Sequence, residues 1–324
     1  MLEHQQSQIP LEEIRAARAR IEGLAIRTPL VRLNDDSSDA EIYLKLENLQ
    51  PIRSFKLRGA GNAINAADPA NLGHGVYTAS AGNMAQGVAW CARQRHIPCS
   101  VVIPEHASSA KIAAIERLGA EIVKVPFADW WDVMTTHEFD GLDGFFIHPV
   151  ANRHVIAGNG TIGLEIMEDL PDADAVIIPY GGGGLSCGIA SALQGVGSTA
   201  KIYACEVETA APLAASLRAG REVEVDMTPT FIDGIGSPKL LPEMWPLAMQ
   251  MLDDSLLVSI EETAAAIRLL VERNCVVAEG AGAASVAAAL NGQAPGKRIV
   301  CVVSGGNIDF EKLQLILSGG TPSR

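Results

Sequence analysis

The chain is predicted to adopt an α/β fold of two lobes, each with a mainly parallel sheet flanked by helices, sharing one cleft. Three observations predict it. Short apolar runs alternate with amphipathic, helix-length runs along most of the sequence. Many of those short runs are hydrophobic at successive positions, as strands covered on both faces must be. The length of 324 residues, 48% of them apolar, exceeds one compact unit of the commonest size.

The elements follow in order. Pro10 precedes "LEEIRAARARIEGL", where Leu11, Ile14, Ile21 and Leu24 recur at roughly helical spacing and Gly23 lies near the end. "EIYLKLE" alternates as a strand does, and "GVYTAS" is a strand leading into the Ala-rich helix "AGNMAQGVAWCARQRH". "CSVVIP" is a strand, "ASSAKIAAIERLGA" a helix closed by Gly119, and "EIVKVP" a strand. The second half repeats the rhythm with "DAVIIPY", "GGGGLSCGIASALQGV", "KIYACEVE", "IEETAAAIRLLVERN", "EGAGAASVAAALNG" and "RIVCVVSGG". Residues 72–126 read as a compact three-strand α/β unit inserted into a larger one. The expected division is a large discontinuous domain, 1–68 and 150–324, and a small domain, 69–149.

The formal charge is −13, with acidic residues spread along the chain rather than in blocks. That balance argues against nucleic acid or an anionic membrane as partner, so an anionic ligand must be held by local groups and backbone amides. The six cysteines form no CxxC pair and no zinc-ligand spacing with histidine, and most lie in apolar, strand-like or helix-like surroundings, which reads as reduced, buried thiols. The N-terminus lacks an apolar signal core, and no later run is long enough to span a bilayer. The expectation is a soluble cytoplasmic protein.

Two stretches carry the chemistry. In "NLQPIRSFKLRGAG", Lys56 follows Phe55 and precedes Arg58, Gly59 and Ala60. It reads either as an exposed helix-start lysine packed on Phe55, or as a desolvated amine able to bond to a carbonyl. In "IIPYGGGGLSCGIA", an apolar strand runs through Gly181, Gly182, Gly183 and Gly184 directly into a helix. Consecutive amides without side chains suit a phosphate, helped by the helix dipole, whereas a plain tight turn needs only one or two glycines. A dinucleotide fingerprint is the competitor: Gly182, Gly184 and Gly188 fit loosely, and Glu206 ends the next strand. That loop, however, lies mid-chain and leaves Lys56 unexplained. "TASAGNMAQG", with Ser80, Gly82 and Asn83 before a helix, suits a carboxylate or is an ordinary cap. "CVVSGGN" ends a strand at Ser304.

In this order and spacing, Ser-Phe-Lys-x-Arg-Gly-Ala, Ser-Ala-Gly-Asn-x-Ala-Gln-Gly, the glycine tetrad and Ser-Gly-Gly-Asn resemble the fold type II pyridoxal-phosphate enzymes (tryptophan synthase beta-like). The chain is most similar to the serine/threonine dehydratase branch, which includes serine racemase. The resemblance runs from "RTPL" to "SGGN", nearly the whole chain. It implies pyridoxal 5'-phosphate as cofactor, with Lys56 as Schiff-base lysine and general base. It also implies Phe55 as pocket wall, Gly181, Gly182, Gly183, Gly184 and Leu185 at the cofactor phosphate, Asn83 at the ring oxygen and Ser304 at the pyridine nitrogen. Ser80, Ala81, Gly82, Asn83 and Met84 would line the substrate side. The implied reaction removes water from a β-hydroxy-α-amino acid, giving a 2-oxo acid and ammonia. The implied partners are an amino-acid substrate and further copies of the chain, as a homodimer or homotetramer.

The chain departs from the family in several places. Met84 stands where many dehydratases carry His, which reads as drift or as a pocket for a bulkier, more apolar β-substituent such as an aryl group. Ala81 stands where racemase-type relatives place a hydroxyl, so racemisation is expected to be weak. Glu206 fits the first position of a family cation site, but Pro212 takes the place of the second carboxylate; either Glu208 substitutes for it or the site is lost or weakened, and no metal ligand is assigned. The chain stops soon after "SGGN", leaving no expected room for a C-terminal regulatory domain. The alternatives are a dehydratase for β-aryl-serines, a β-replacement enzyme of the cysteine synthase kind, and a cofactor-binding sensor without catalysis.

Overall fold

The computed structural model describes residues 6–35, 38–107 and 109–323. The first part of the chain forms α1 (Leu11–Arg20), β1 (Leu30–Arg32), β2 (Glu41–Leu46) and α2 (Lys56–Ala66). Next come β3 (Val76–Ala79), α3 (Asn83–Gln94), β4 (Cys99–Pro104), α4 (Ser109–Glu116), β5 (Glu121–Val125), α5 (Phe127–Thr136) and β6 (Phe145–Phe146). After α6 (Arg153–Asp169) follow β7 (Ala175–Pro179), α7 (Gly184–Gly195), β8 (Lys201–Val207), α8 (Pro212–Ala219), α9 (Trp245–Met251) and β9 (Asp254–Val258). The chain closes with α10 (Ile260–Asn274), α11 (Gly280–Leu290), β10 (Arg298–Val303) and α12 (Phe310–Leu317).

Among the described residues the strands form two sheets. The six-stranded sheet has the order β1-β2-β10-β7-β8-β9, parallel except at the β1 edge. Successive residues of β7 serve opposite faces: Val176 and Ile178 pack into one apolar core, Ala175 and Ile177 into the other. Helices cover both faces, so the strand is hydrophobic throughout rather than alternating.

The four-stranded sheet, order β5-β4-β3-β6, is wholly parallel. The pattern of residues 72–126 predicts only three of these strands. The fourth, β6, is only two residues long and carries no period to detect. Helix α6 also escaped pattern reading. Asn152 caps it, its side chain accepting from the amides of His154 and Val155, and residues 155–166 are all buried. A helix enclosed on every side shows no amphipathic stripe.

Beneath α2 lies a buried charge network. Arg58 donates to Glu47 (2.8 Å) and Glu165 (2.6 Å), and Lys45 Nζ donates to Glu165 (2.6 Å). Two cations face two carboxylates, which is the condition for keeping such groups out of water. The network fixes the start of α2, and with it Lys56, against α6.

Candidate active site

In both sheets the C-terminal strand ends face a common cleft, the usual place for ligands in open parallel sheets. A cavity of about 340 Å³ occupies it, and its lining includes residues from each of the four motifs. Phe55, Lys56, Ser80, Ala81, Gly82, Asn83, Met84, Gly181, Gly182, Gly183, Gly184, Leu185 and Ser304 all border it. Residues as far apart in the chain as Phe55 and Ser304 are thereby brought together.

Lys56 is the first residue of α2. Its Nζ lies 5.2 Å from the centroid of the Phe55 ring and donates to the Pro149 carbonyl at 2.8 Å. Burial lowers its pKa to about 8, against the opposing pull of Glu279. An appreciable neutral fraction near physiological pH follows, as a nucleophilic amine requires.

The segment that receives Lys56 also shapes the glycine loop. His148 Nδ1 accepts from the amides of Val150 (3.0 Å) and Ala151 (2.7 Å), so its ring proton sits on Nε2, 3.1 Å from the Met134 carbonyl. Val150 then presses on the glycines: a Cβ on Gly182 would stand 2.7 Å from Val150 Cγ2. Gly183 adopts φ +95°, a left-handed conformation that disfavours a side chain. The first turn of α7 leaves amide N–H groups without helical partners, directed at the cavity end where the glycines lie. Beside Gly183, the buried hydroxyl of Tyr180 has no hydrogen-bond partner among the described residues.

Asn83 opens α3. Its Nδ2 donates to Glu279 Oε1 at 2.9 Å and its Oδ1 accepts from Asn307 Nδ2 at 2.8 Å. Glu279, which sequence reading missed, precedes α11 and also accepts from the Asn307 amide at 3.2 Å. Burial raises its pKa to about 7, with Asp233 adding and Asn83 opposing. "EGAGA" carried the signal, a carboxylate before a glycine-alanine helix start, but nothing local distinguished it from an ordinary cap. Ser80 and Gly82 sit in the turn before α3, where the Gly82 amide donates to Ser80 Oγ at 3.2 Å. Ser304 follows β10, and its carbonyl accepts from the Phe55 amide at 3.0 Å. Met84 is 1% exposed and belongs mainly to the core between α3 and its sheet, with only an edge on the cavity.

Glu206 does not fit a cation. Its carboxylate accepts from the amides of Leu213 (2.9 Å) and Ala214 (2.8 Å) and from Ser255 Oγ (2.7 Å), capping α8. Burial raises its pKa, which further disfavours a charged ligand oxygen. Glu208 is exposed.

Comparison with known proteins agrees with this geometry. A family model described as pyridoxal-phosphate dependent enzyme matches residues 21–305. An L-threonine ammonia-lyase of Thermotoga maritima is 41% identical over 96% of this chain and 79% of its own. A catabolic L-threonine dehydratase of Escherichia coli is 37% identical over 95% of this chain and 96% of its own. Among solved structures, maize serine racemase superposes with a TM-score of 0.89 at 31% identity, covering 97% and 98% of the two chains. The processed form of threonine deaminase isoform 2 from Solanum lycopersicum superposes at 0.83 with 32% identity, covering 97% and 96%. The chain belongs to the pyridoxal-phosphate dependent enzymes.

Proposed function

We propose that the protein is a lyase that removes water from a β-hydroxy-α-amino acid of the serine/threonine type, yielding a 2-oxo acid and ammonia. The observation that carries this reading is the convergence of all four motifs on one cavity with the Lys56 amine at its wall.

The cavity fits pyridoxal phosphate on three counts. The amine is depressed toward its neutral form, the glycine loop admits no Cβ at Gly182, and the Tyr180 hydroxyl is unpartnered beside that loop. When bound, the cofactor supplies an electron sink for the pair released at Cα. Lys56 would anchor it, and its Nζ would then take the Cα proton. The amides of Gly181, Gly182, Gly183, Gly184 and Leu185 would hold its phosphate, and Ser304 and Asn83 would hold its ring through polar contacts at the ring nitrogen and ring oxygen. Ser80, Gly82 and the start of α3 orient the substrate carboxylate. The β-hydroxyl leaves as water, and the released enamine tautomerises and hydrolyses.

The domain boundaries at 68/69 and 149/150 belong to the same reading, supported by the strands of the four-stranded sheet coming from residues 76–146. So does a cytoplasmic homodimer or homotetramer, its compartment supported by the buried state of Cys91, Cys99, Cys187, Cys205 and Cys301, whereas Cys275, contrary to the expectation of buried thiols, is exposed at the end of α10. Among the described residues no helix is long and apolar enough to cross a membrane. The test is 2-oxo acid and ammonia release from L-threonine, L-serine and related hydroxy amino acids by the cofactor-loaded protein. Equal release of both products supports the reading, and none from any substrate overturns it.

A further inference from the structure

The motifs do not supply all of the cavity: Asp233, Ile235, Glu279 and Ala281 border one side of it, and the four-stranded sheet supplies another. Strands β3, β4 and β5 lie side by side in parallel, with Ala79 paired to Val102 and Pro104 to Val125. The residues at their C-terminal ends, Ser80, Pro104 and Phe127, therefore stand in a row across about 10 Å, two strand spacings. From this row Phe127 and, one helical turn on, Trp130 border the same cavity as Ser80 and Lys56. Their ring centroids are 5.6 Å apart and tilted by 33°, and the His106 ring lies 6.0 Å from Phe127.

Phe127 is 55% exposed. It thus does little for the core, and its place on the cavity lining leaves the ring free to pack against a ligand. Pro104 and the edge of Met84 continue that apolar side. Lys111, a cation among the lining residues, is paired with Asp233 at 2.5 Å, so it offers no uncompensated positive charge to an acidic side chain. Trp130 packs partly against the core of the four-stranded sheet, which holds its ring in place beside Phe127.

We propose that this wall is the side-chain subsite, and that the enzyme prefers β-hydroxy-α-amino acids bearing a β-aryl or comparably bulky apolar group over serine. The inference rests on the elimination reading above and names its substrate class. A ring packed against Phe127 and Trp130 is desolvated on faces that serine leaves wet, an advantage on the order of tenfold or more in kcat/KM.

The experiment compares cofactor-loaded wild type, Phe127→Ala and Trp130→Phe on L-serine, L-threonine, 3-hydroxyaspartate and both diastereomers of phenylserine. In parallel, the bound cofactor's absorbance is titrated with L-phenylalanine and L-alanine, which cannot lose a β-hydroxyl. Expected are a phenylserine-to-serine ratio of about ten or more, and a fall in that ratio of about tenfold in Phe127→Ala. L-phenylalanine should also bind more tightly than L-alanine, and Trp130→Phe, which keeps a ring, should retain most of the preference. Serine, threonine or 3-hydroxyaspartate turning over best, or a Phe127→Ala ratio equal to wild type, overturns the proposal and leaves elimination standing. If no substrate releases 2-oxo acid, the elimination reading fails, and the two titrations alone decide the wall: equal affinities overturn it.

Discussion

Lys56 Nζ and the carbonyl of Pro149 are held 2.8 Å apart, so the amine is oriented by backbone rather than by an acidic side chain. Burial lowers its pKa to about 8, and the Glu279 carboxylate, which pulls the other way, does not overcome that desolvation. Covalent capture of pyridoxal phosphate by the cofactor-free protein should therefore accelerate as pH rises from 7 toward 8 and level off above it. Stopped-flow absorbance gives the rate, and borohydride reduction with peptide mass spectrometry gives the residue. A rate independent of pH over this range, or an adduct on another lysine, contradicts the assignment. Lys56→Ala should abolish turnover.

The Asn83–Glu279 pair carries a stability signature. Glu279 has a folded pKa of about 7 against 4.5 for the ordinary group, so between those values the folded state holds a proton that the unfolded state has released. More protons on the native side mean that stability falls as pH rises from about 4.5 to 7. Glu279→Gln should flatten that portion of the curve relative to wild type. Thermal melts of both proteins from pH 5 to 8 measure it, and parallel curves would rule it out.

Gly182 faces Val150 closely enough that Gly182→Ala needs Val150 to give way. The substitution should weaken cofactor binding by about tenfold or more, the scale of overpacking at roughly 1–3 kcal/mol. Val150→Ala in the same chain should restore part of the loss, read as Kd from absorbance titration. Absence of rescue would place the defect in the amides rather than in the contact.

Arg58 spans Glu47 and Glu165, both buried. Arg58→Ala leaves only Lys45 against two carboxylates, and should cost about 3–5 kcal/mol of unfolding free energy, read from urea denaturation. Arg58→Lys cannot reproduce the forked contact and should recover less than half. A loss under about 1 kcal/mol for Arg58→Ala would show that water replaces the guanidinium.

Ala81 borders the cavity without a proton donor or acceptor of its own. Incubation with L-serine should yield pyruvate well in excess of D-serine by chiral chromatography. Ala81→Ser should raise the D-serine share. Abundant D-serine from the unaltered protein would mean that another group serves the second face.

The sequence alone determined the alternation of buried strands and helices, because a strand covered on both faces must be apolar at every position, as Val176 through Ile178 are. It also singled out Lys56, the glycine tetrad and the loops at Ser80 and Ser304, which border one cavity, since small residues and a lone lysine at strand and helix ends leave local traces. Only the tertiary structure decided what surrounds them. The pairing of Val303 with Leu46 carries Ser304 to Phe55, and the order β5-β4-β3 brings Phe127 into line with Ser80. Glu279, His148 and Trp130 look like ordinary cap, loop and helix residues in isolation. What sets them beside the cleft is contact with residues far along the chain, and such proximity is set by strand order and register, which no local pattern encodes.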